Sequence, residues 1–107
     1  MIKSLFLVGI LMFCIAAQAE PLIFELRIKD HLFFPDEVII PADTKVKLLV
    51  KNEDPTPEEF ESYELNREKV IPGNSEAIIF IGPLPAGNYP FFGEFFPKTA
   101  QGRVTVK

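Results

Sequence analysis

The sequence predicts an all-β sandwich. Three observations carry this: stretches of strict apolar–polar alternation, ten prolines spread along the chain, and turn signals recurring at short intervals. Phe24, Leu26 and Ile28 alternate with Glu25, Arg27 and Lys29, the period-2 pattern of a half-buried strand. A turn at Asp30-His31 follows, then an extended piece with Val38 and Ile40 that stops at Pro41. Val46, Leu48 and Val50 alternate with Lys45, Lys47 and Lys51 in a second strand. Val70 and Ile71 lead into the turn Pro72-Gly73-Asn74. Residues 77–81 are apolar on both sides and read as a central strand covered on both faces. A turn-rich corner over residues 82–87 precedes Tyr89 and Phe91, and Val104 and Val106 alternate with Arg103, Thr105 and Lys107 at the end. One exception to the strand pattern is residues 57–69. There Glu58-Glu59-Phe60-Glu61 after Pro57 reads as the start of a short helical turn.

The first 19 residues do not fit this domain. Lys3 stands ahead of an uninterrupted apolar run over residues 5–17, and Ala17-Gln18-Ala19 matches the small-x-small pattern of a cleaved secretory signal. The run is shorter than a transmembrane helix requires, and no stop-transfer charges follow. Cleavage is expected after Ala19, giving a signal peptide over 1–19, a domain over 20–107 and a periplasmic location without membrane insertion of the mature chain. Cys14 raises the alternative of a lipid-modified terminus, but the preceding residue is the bulky Phe13, so Cys14 reads as part of the leader. The expected mature chain then has no cysteine, which excludes a disulfide framework, a zinc–thiolate site and a catalytic thiol.

Without Lys3 the domain carries 10 Lys and Arg against 15 Asp and Glu, a net charge of −5. No basic stripe is present for nucleic acid, and the acidity suits a cation or a basic partner. Nine phenylalanines remain after the leader, and most are expected to pack in the core. No hydrolase or transferase constellation is present: the one histidine has no positioned serine, and no glycine-rich phosphate loop occurs.

The segment from Phe34-Pro35 through Val38, Ile40-Pro41-Ala42 and Thr44 to Asn52-Glu53-Asp54 resembles the first half of a cupredoxin-like domain. Residues 85–97, with Tyr89 and Phe91, and then Gly102-Arg103-Val104, resemble its closing hairpin. The resemblance implies a Greek-key β-sandwich. A type 1 copper site needs a thiolate, two imidazoles and commonly a thioether. The resemblance puts those positions on Gly93, Phe96, Thr99 or Ala100, and Glu58 or Glu59, so no type 1 copper site is expected.

The blocks Glu58-Glu59-Phe60-Glu61-Ser62 and Phe92-Gly93-Glu94-Phe95-Phe96-Pro97-Lys98-Thr99-Ala100-Gln101-Gly102 are similar to those of a cupredoxin-like subfamily associated with bacterial high-affinity iron permeases. That similarity implies a periplasmic component of an iron uptake system, with the permease or another uptake component as partner. Members often carry His where this chain has Phe96, so ferroxidase activity is not supported by the residues present.

Glu59, Glu61 and Glu94 are the candidate metal ligands: the resemblance implies that the loop after Asn52-Glu53-Asp54 and the closing hairpin meet at one end of the sandwich, and carboxylates converging there suit a hard or borderline ion such as iron or manganese. The competing readings are a solvated acidic loop, a network of pairs with Arg67, Lys69 or Lys98, or a metal-free adaptor that docks on a permease. Glu58 is a secondary candidate and reads as solvent-facing. His31, also secondary, reads as a surface turn residue and becomes a ligand only if its turn reaches the end of the sandwich that carries Glu94.

Overall fold

Alternation along each extended segment decides which side chains go inside, and the interior is shared by two sheets. The computed structural model describes residues 20–107; the expected signal peptide, residues 1–19, lies outside the described residues. Nine strands run in the order β1 (Leu22–Lys29), β2 (Leu32–Phe34), β3 (Glu37–Ile40), β4 (Val46–Asn52), β5 (Glu58–Ser62), β6 (Arg67–Ile71), β7 (Ser75–Ile81), β8 (Gly87–Gly93) and β9 (Gln101–Val106). One sheet has the order β2-β1-β4-β7 and the other β3-β9-β8-β5-β6. The chain crosses between the sheets at β2–β3, β3–β4, β4–β5, β6–β7 and β7–β8, as a Greek-key sandwich requires. Helix is absent among the described residues. None of their segments forms a helix long and apolar enough to cross a membrane.

Leu26, Ile28, Val46, Leu48, Val50, Ile79 and Ile81 point inward from the first sheet. Val38, Ile40, Phe60, Ile71, Phe91, Val104 and Val106 meet them from the second. At the centre, Phe60 and Phe91 stack with ring centroids 4.9 Å apart, and Phe33 meets Phe91 edge-on at 5.0 Å. Offset and edge-on arrangements of this kind add to the gain from burial alone. At the corner after β7, the Tyr89 hydroxyl donates to the Pro85 carbonyl at 2.8 Å.

Three expectations are corrected. Residues 57–69 form no helical turn but a β-hairpin, in which Glu58 pairs with Ile71 and Ser62 with Arg67. The local sequence Glu-Glu-Phe-Glu-Ser satisfies both a helix start and an alternating strand, and burial of Phe60 against Phe91 selects the strand. Strand β7 is an edge strand rather than a central one: Ile78 and Phe80 are 50% and 45% exposed on its outer face. A continuous apolar run does not reveal which face is covered. Here Lys45 and Lys47 hold their ammonium groups 5.4 Å and 5.6 Å from the Phe80 ring centre, so an exposed ring gains cationic contacts. The phenylalanines, finally, are not mostly core. Phe33, Phe60 and Phe91 are buried, whereas Phe34, Phe80 and Phe95 are exposed.

Truncating the central ring is expected to be costly and truncating the outer one cheap. Phe60→Ala should lower unfolding free energy by about 3–5 kcal/mol and Phe80→Ala by under about 1 kcal/mol, measured by urea denaturation.

Candidate metal centre

Burying Phe60 from β5 fixes the direction of every neighbouring side chain on that strand. Glu58 and Ser62 share the inner face with it, and Glu59 and Glu61 are sent to the outer face. The hairpin register then sets Glu61 directly opposite Glu68. One carboxylate oxygen from each of Glu59, Glu61 and Glu68 lies within 4.8 Å of the others. Like charges directly across a strand pair destabilise it.

Proton affinity reflects the crowding. Glu59 is pushed up to about 7, first by a hydrogen bond shared with Glu68, then by burial and by the charges of Glu68, Glu61 and Glu94. Glu61 is raised by burial and by Glu68 and Glu94. Among the described residues no cationic side chain pairs with these carboxylates. The close acid–base contacts among the described residues are Arg27–Glu53, Lys51–Glu25, Arg103–Glu37 and His31–Asp54. Arg67 spends its guanidinium on the backbone carbonyls of Phe80, Leu65 and Asn66. The alternative of an ion-pair network with Arg67, Lys69 or Lys98 therefore does not form.

Of the three residues singled out from sequence, the structure brings Glu59 and Glu61 together but adds Glu68 as the third close carboxylate. Glu94 stands outside that close group, although its charge acts on both Glu59 and Glu61. Its backbone N–H donates to the Glu59 carbonyl at 2.9 Å, which ties the loop after β8 to β5. Glu68 was missed because the segment was read as helical. In a hairpin, the turn over residues 63–66 would have aligned residue 61 with residue 68.

Glu58 is not solvent-facing: it is 1% exposed, on the inner face of β5. Its Oε1 accepts from the N–H groups of Glu59 and Phe95, both at 2.9 Å. His31 does reach the end of the sandwich near the closing hairpin, where its ring stacks on Phe96 at 3.5 Å. The turn is pinned there by Asp54, whose carboxylate accepts from the N–H groups of Asp30 and His31. Both of those residues have φ near +55°, a conformation that costs energy in non-glycine residues. Asn52 braces the same loop by donating to the carbonyls of Thr56, Ile71 and Pro72 and accepting from Asp54 N–H. His31 thus contacts Phe96 and Asp54 and is not in the carboxylate group.

Comparison with known proteins agrees with this architecture. The sequence profile of the cupredoxin-like domain matches residues 3–106. An uncharacterised protein of Rickettsia prowazekii (strain Madrid E) is 44% identical over 82 residues, 77% of this chain and 66% of that protein. Auracyanin A, a blue copper protein of Chloroflexus aurantiacus, superposes with a TM-score of 0.70 at 13% identity, over 82% of this chain and 100% of its own. The metal-binding domain of the Cu(I)-exporting ATPase CopA of Streptococcus pneumoniae D39 gives 0.70 at 16% identity, over 79% and 84%. Amicyanin of Paracoccus versutus gives 0.62 at 18% identity, over 83% of each chain. At these identities the structural likeness concerns the fold alone.

The residues at the interior position do not fit a type 1 copper centre. Gly93 and Ala100 adjoin in the buried interior at the hairpin end, with Gly93 N–H donating to the Ala100 carbonyl at 2.8 Å. A Cβ at residue 93 would lie 2.5 Å from the Glu58 carboxylate, so the space a thiolate would need is filled. Phe96 supplies no donor. The soft ligands that hold type 1 copper are missing at each of these positions.

The raised proton affinity of Glu59 carries a sign. Its folded-state pKa of about 7 lies above its unfolded value, so the folded protein keeps a proton that the unfolded chain has released. That contribution is fully present below the ordinary carboxylate range and is lost as pH rises through about 7. The thermal midpoint of the metal-free protein is expected to fall between pH 5 and pH 8, and Glu68→Gln should flatten the fall.

Proposed function

The chain belongs to the cupredoxin-like domain family, and from that premise we propose that it is a periplasmic accessory protein of an iron uptake system. In this reading Glu59, Glu61 and Glu68 hold a divalent cation, iron in the cell, on the outer face of the β5–β6 hairpin, with Glu94 adding negative charge beside it. The observation that carries it is the convergence of three carboxylates with no cationic side chain in pairing range among the described residues. Carboxylate oxygens prefer hard or borderline cations over Cu(I). A cation there would displace the shared proton and replace repulsion by attraction. The similarity of the Glu58–Ser62 and Phe92–Gly102 blocks to the iron-permease-associated subfamily supports iron as the ion and a permease or another uptake component as the partner. The leader-like residues 1–19 support a periplasmic location.

A second reading, a metal-free adaptor, is favoured by one surface feature. Phe95 is 46% exposed at the hairpin end, beside an apolar hollow lined with His31, Phe96, Pro97, Lys98 and Thr99. That end would then dock on the permease directly, and the carboxylates would only set the charge of the approaching face.

Anaerobic titration calorimetry with Fe(II), Mn(II) and Cu(II) separates the two. Micromolar binding of Fe(II) or Mn(II), weakened at least about tenfold by Glu59→Gln, Glu61→Gln or Glu68→Gln and less by Glu94→Gln, is the expected outcome. Affinity should also rise with pH through about 7, where the Glu59 proton no longer competes. Absence of Fe(II) and Mn(II) binding would leave the adaptor reading.

A further inference from the structure

Glu58 is the feature of the interior that packing alone does not explain. Its Oε2 is the one buried side-chain nitrogen or oxygen among the described residues without a hydrogen-bond partner. A buried polar group that is only partly satisfied costs free energy, and a leucine of similar size would fill the same space without that cost. The surroundings are nevertheless shaped to admit the carboxylate. Residue 93 has no side chain, and a Cβ there would lie 2.5 Å from Glu58 Cδ and Oε2 and 2.7 Å from the Ala100 methyl.

What leucine cannot do is accept hydrogen bonds. Glu58 Oε1 takes two, from Glu59 N–H on its own strand and from Phe95 N–H 37 residues later. Phe95 directly follows Glu94, and Glu94 N–H in turn donates to the Glu59 carbonyl. The start of β5 and the loop after β8 are thereby joined twice, once by backbone and once by a single buried oxygen. The two residues that flank those bonds, Glu59 and Glu94, are the acids whose charges meet on the outer surface. One acceptor oxygen that takes two backbone N–H groups from different segments is suited to holding a loop that carries repelling charge.

We propose that Glu58 is a positioning residue: its buried carboxylate clasps the loop after β8 to the start of β5 and so holds Glu94 and Glu59 in the arrangement of the outer cation site. The inference rests on reading the outer carboxylates as that site. The same clasp fills the interior beside Gly93 and Ala100, which leaves the outer face as the place for a cation. Glu58 itself offers an entering ion no second donor in the close carboxylate group.

The test uses Glu58→Leu, which keeps the bulk and removes the acceptor, and Glu58→Gln, which restores one acceptor oxygen. Amide hydrogen exchange of Phe95 is read by NMR in the metal-free protein, and Mn(II) affinity is read by calorimetry. In Glu58→Leu, Phe95 exchange is expected to accelerate by about tenfold or more and Mn(II) affinity to fall by about tenfold, with the strand signature in circular dichroism retained. Glu58→Gln should bring both back to within about threefold of the parent protein. Should the leucine variant fail to fold, Glu58→Asp withdraws the carboxylate by one methylene and is expected to lose Phe95 protection in the same way. Unchanged Phe95 exchange in Glu58→Leu, or wild-type Mn(II) affinity in it, would overturn the clasp, as would a glutamine variant that behaves like leucine. If the parent protein binds no Mn(II), the cation reading falls, and with it the positioning role. The exchange comparison then decides separately whether the clasp exists as a structural bond.

Discussion

Burial of Phe60 is the constraint on which the rest depends. Its ring has no exposed surface and stacks on Phe91, so β5 has one permitted register in the core. A slip by one residue would expose the Phe60 ring and put Glu59 and Glu61 into the sandwich in its place, losing the burial that holds the strand. Everything proposed about the surface follows from that choice. Glu59 and Glu61 face out, Glu68 is drawn opposite Glu61 by the hairpin, and Glu58 is carried inside whether or not the interior has partners for it.

The resulting acidic face lies at an edge of the second sheet. Strand β6 is that edge, and only Ile71 of it is buried. An edge strand with few buried residues frays at low cost, and like charges across it lower the cost further. A cation bound to Glu59, Glu61 and Glu68 would join β5 to β6 and reverse that repulsion. The opposite sheet shows the contrary charge pattern. Arg27, Lys29, Lys45, Lys47 and Lys51 lie on or beside β1 and β4, so the net negative charge of the chain conceals an uneven distribution. Electrostatic attraction of a cation therefore favours the β5–β6 face.

Much of the fold was legible because most strands alternate. Leu26 and Ile28, Val46, Leu48 and Val50, and Val104 and Val106 read directly as inward positions. Failures came where a local pattern admits two structures. Residues 58–61 satisfy a helix start as well as a strand, and only the distant Phe91 decides between them. Residues 77–81 are apolar throughout, and whether the outer face is covered depends on neighbours that β7 does not have. The candidate site inherited the first error. Glu59 and Glu61 were visible as acids, but Glu68 could be found only through hairpin register, and the burial of Glu58 only through the direction of Phe60. His31 sits far along the chain from Phe96, so their stacking had no local signal at all.

Solved structures of similar fold include a blue copper protein and a Cu(I) exporter domain, whereas the carboxylates gathered in this chain are oxygens on an outer face. Crystals of the protein grown with Mn(II) and measured at the manganese absorption edge address this most directly. An anomalous peak is expected among Glu59, Glu61 and Glu68 and should be lost in Glu61→Gln. A peak in the interior beside Gly93 and Ala100, or no peak at saturating Mn(II), would rule out the outer cation site.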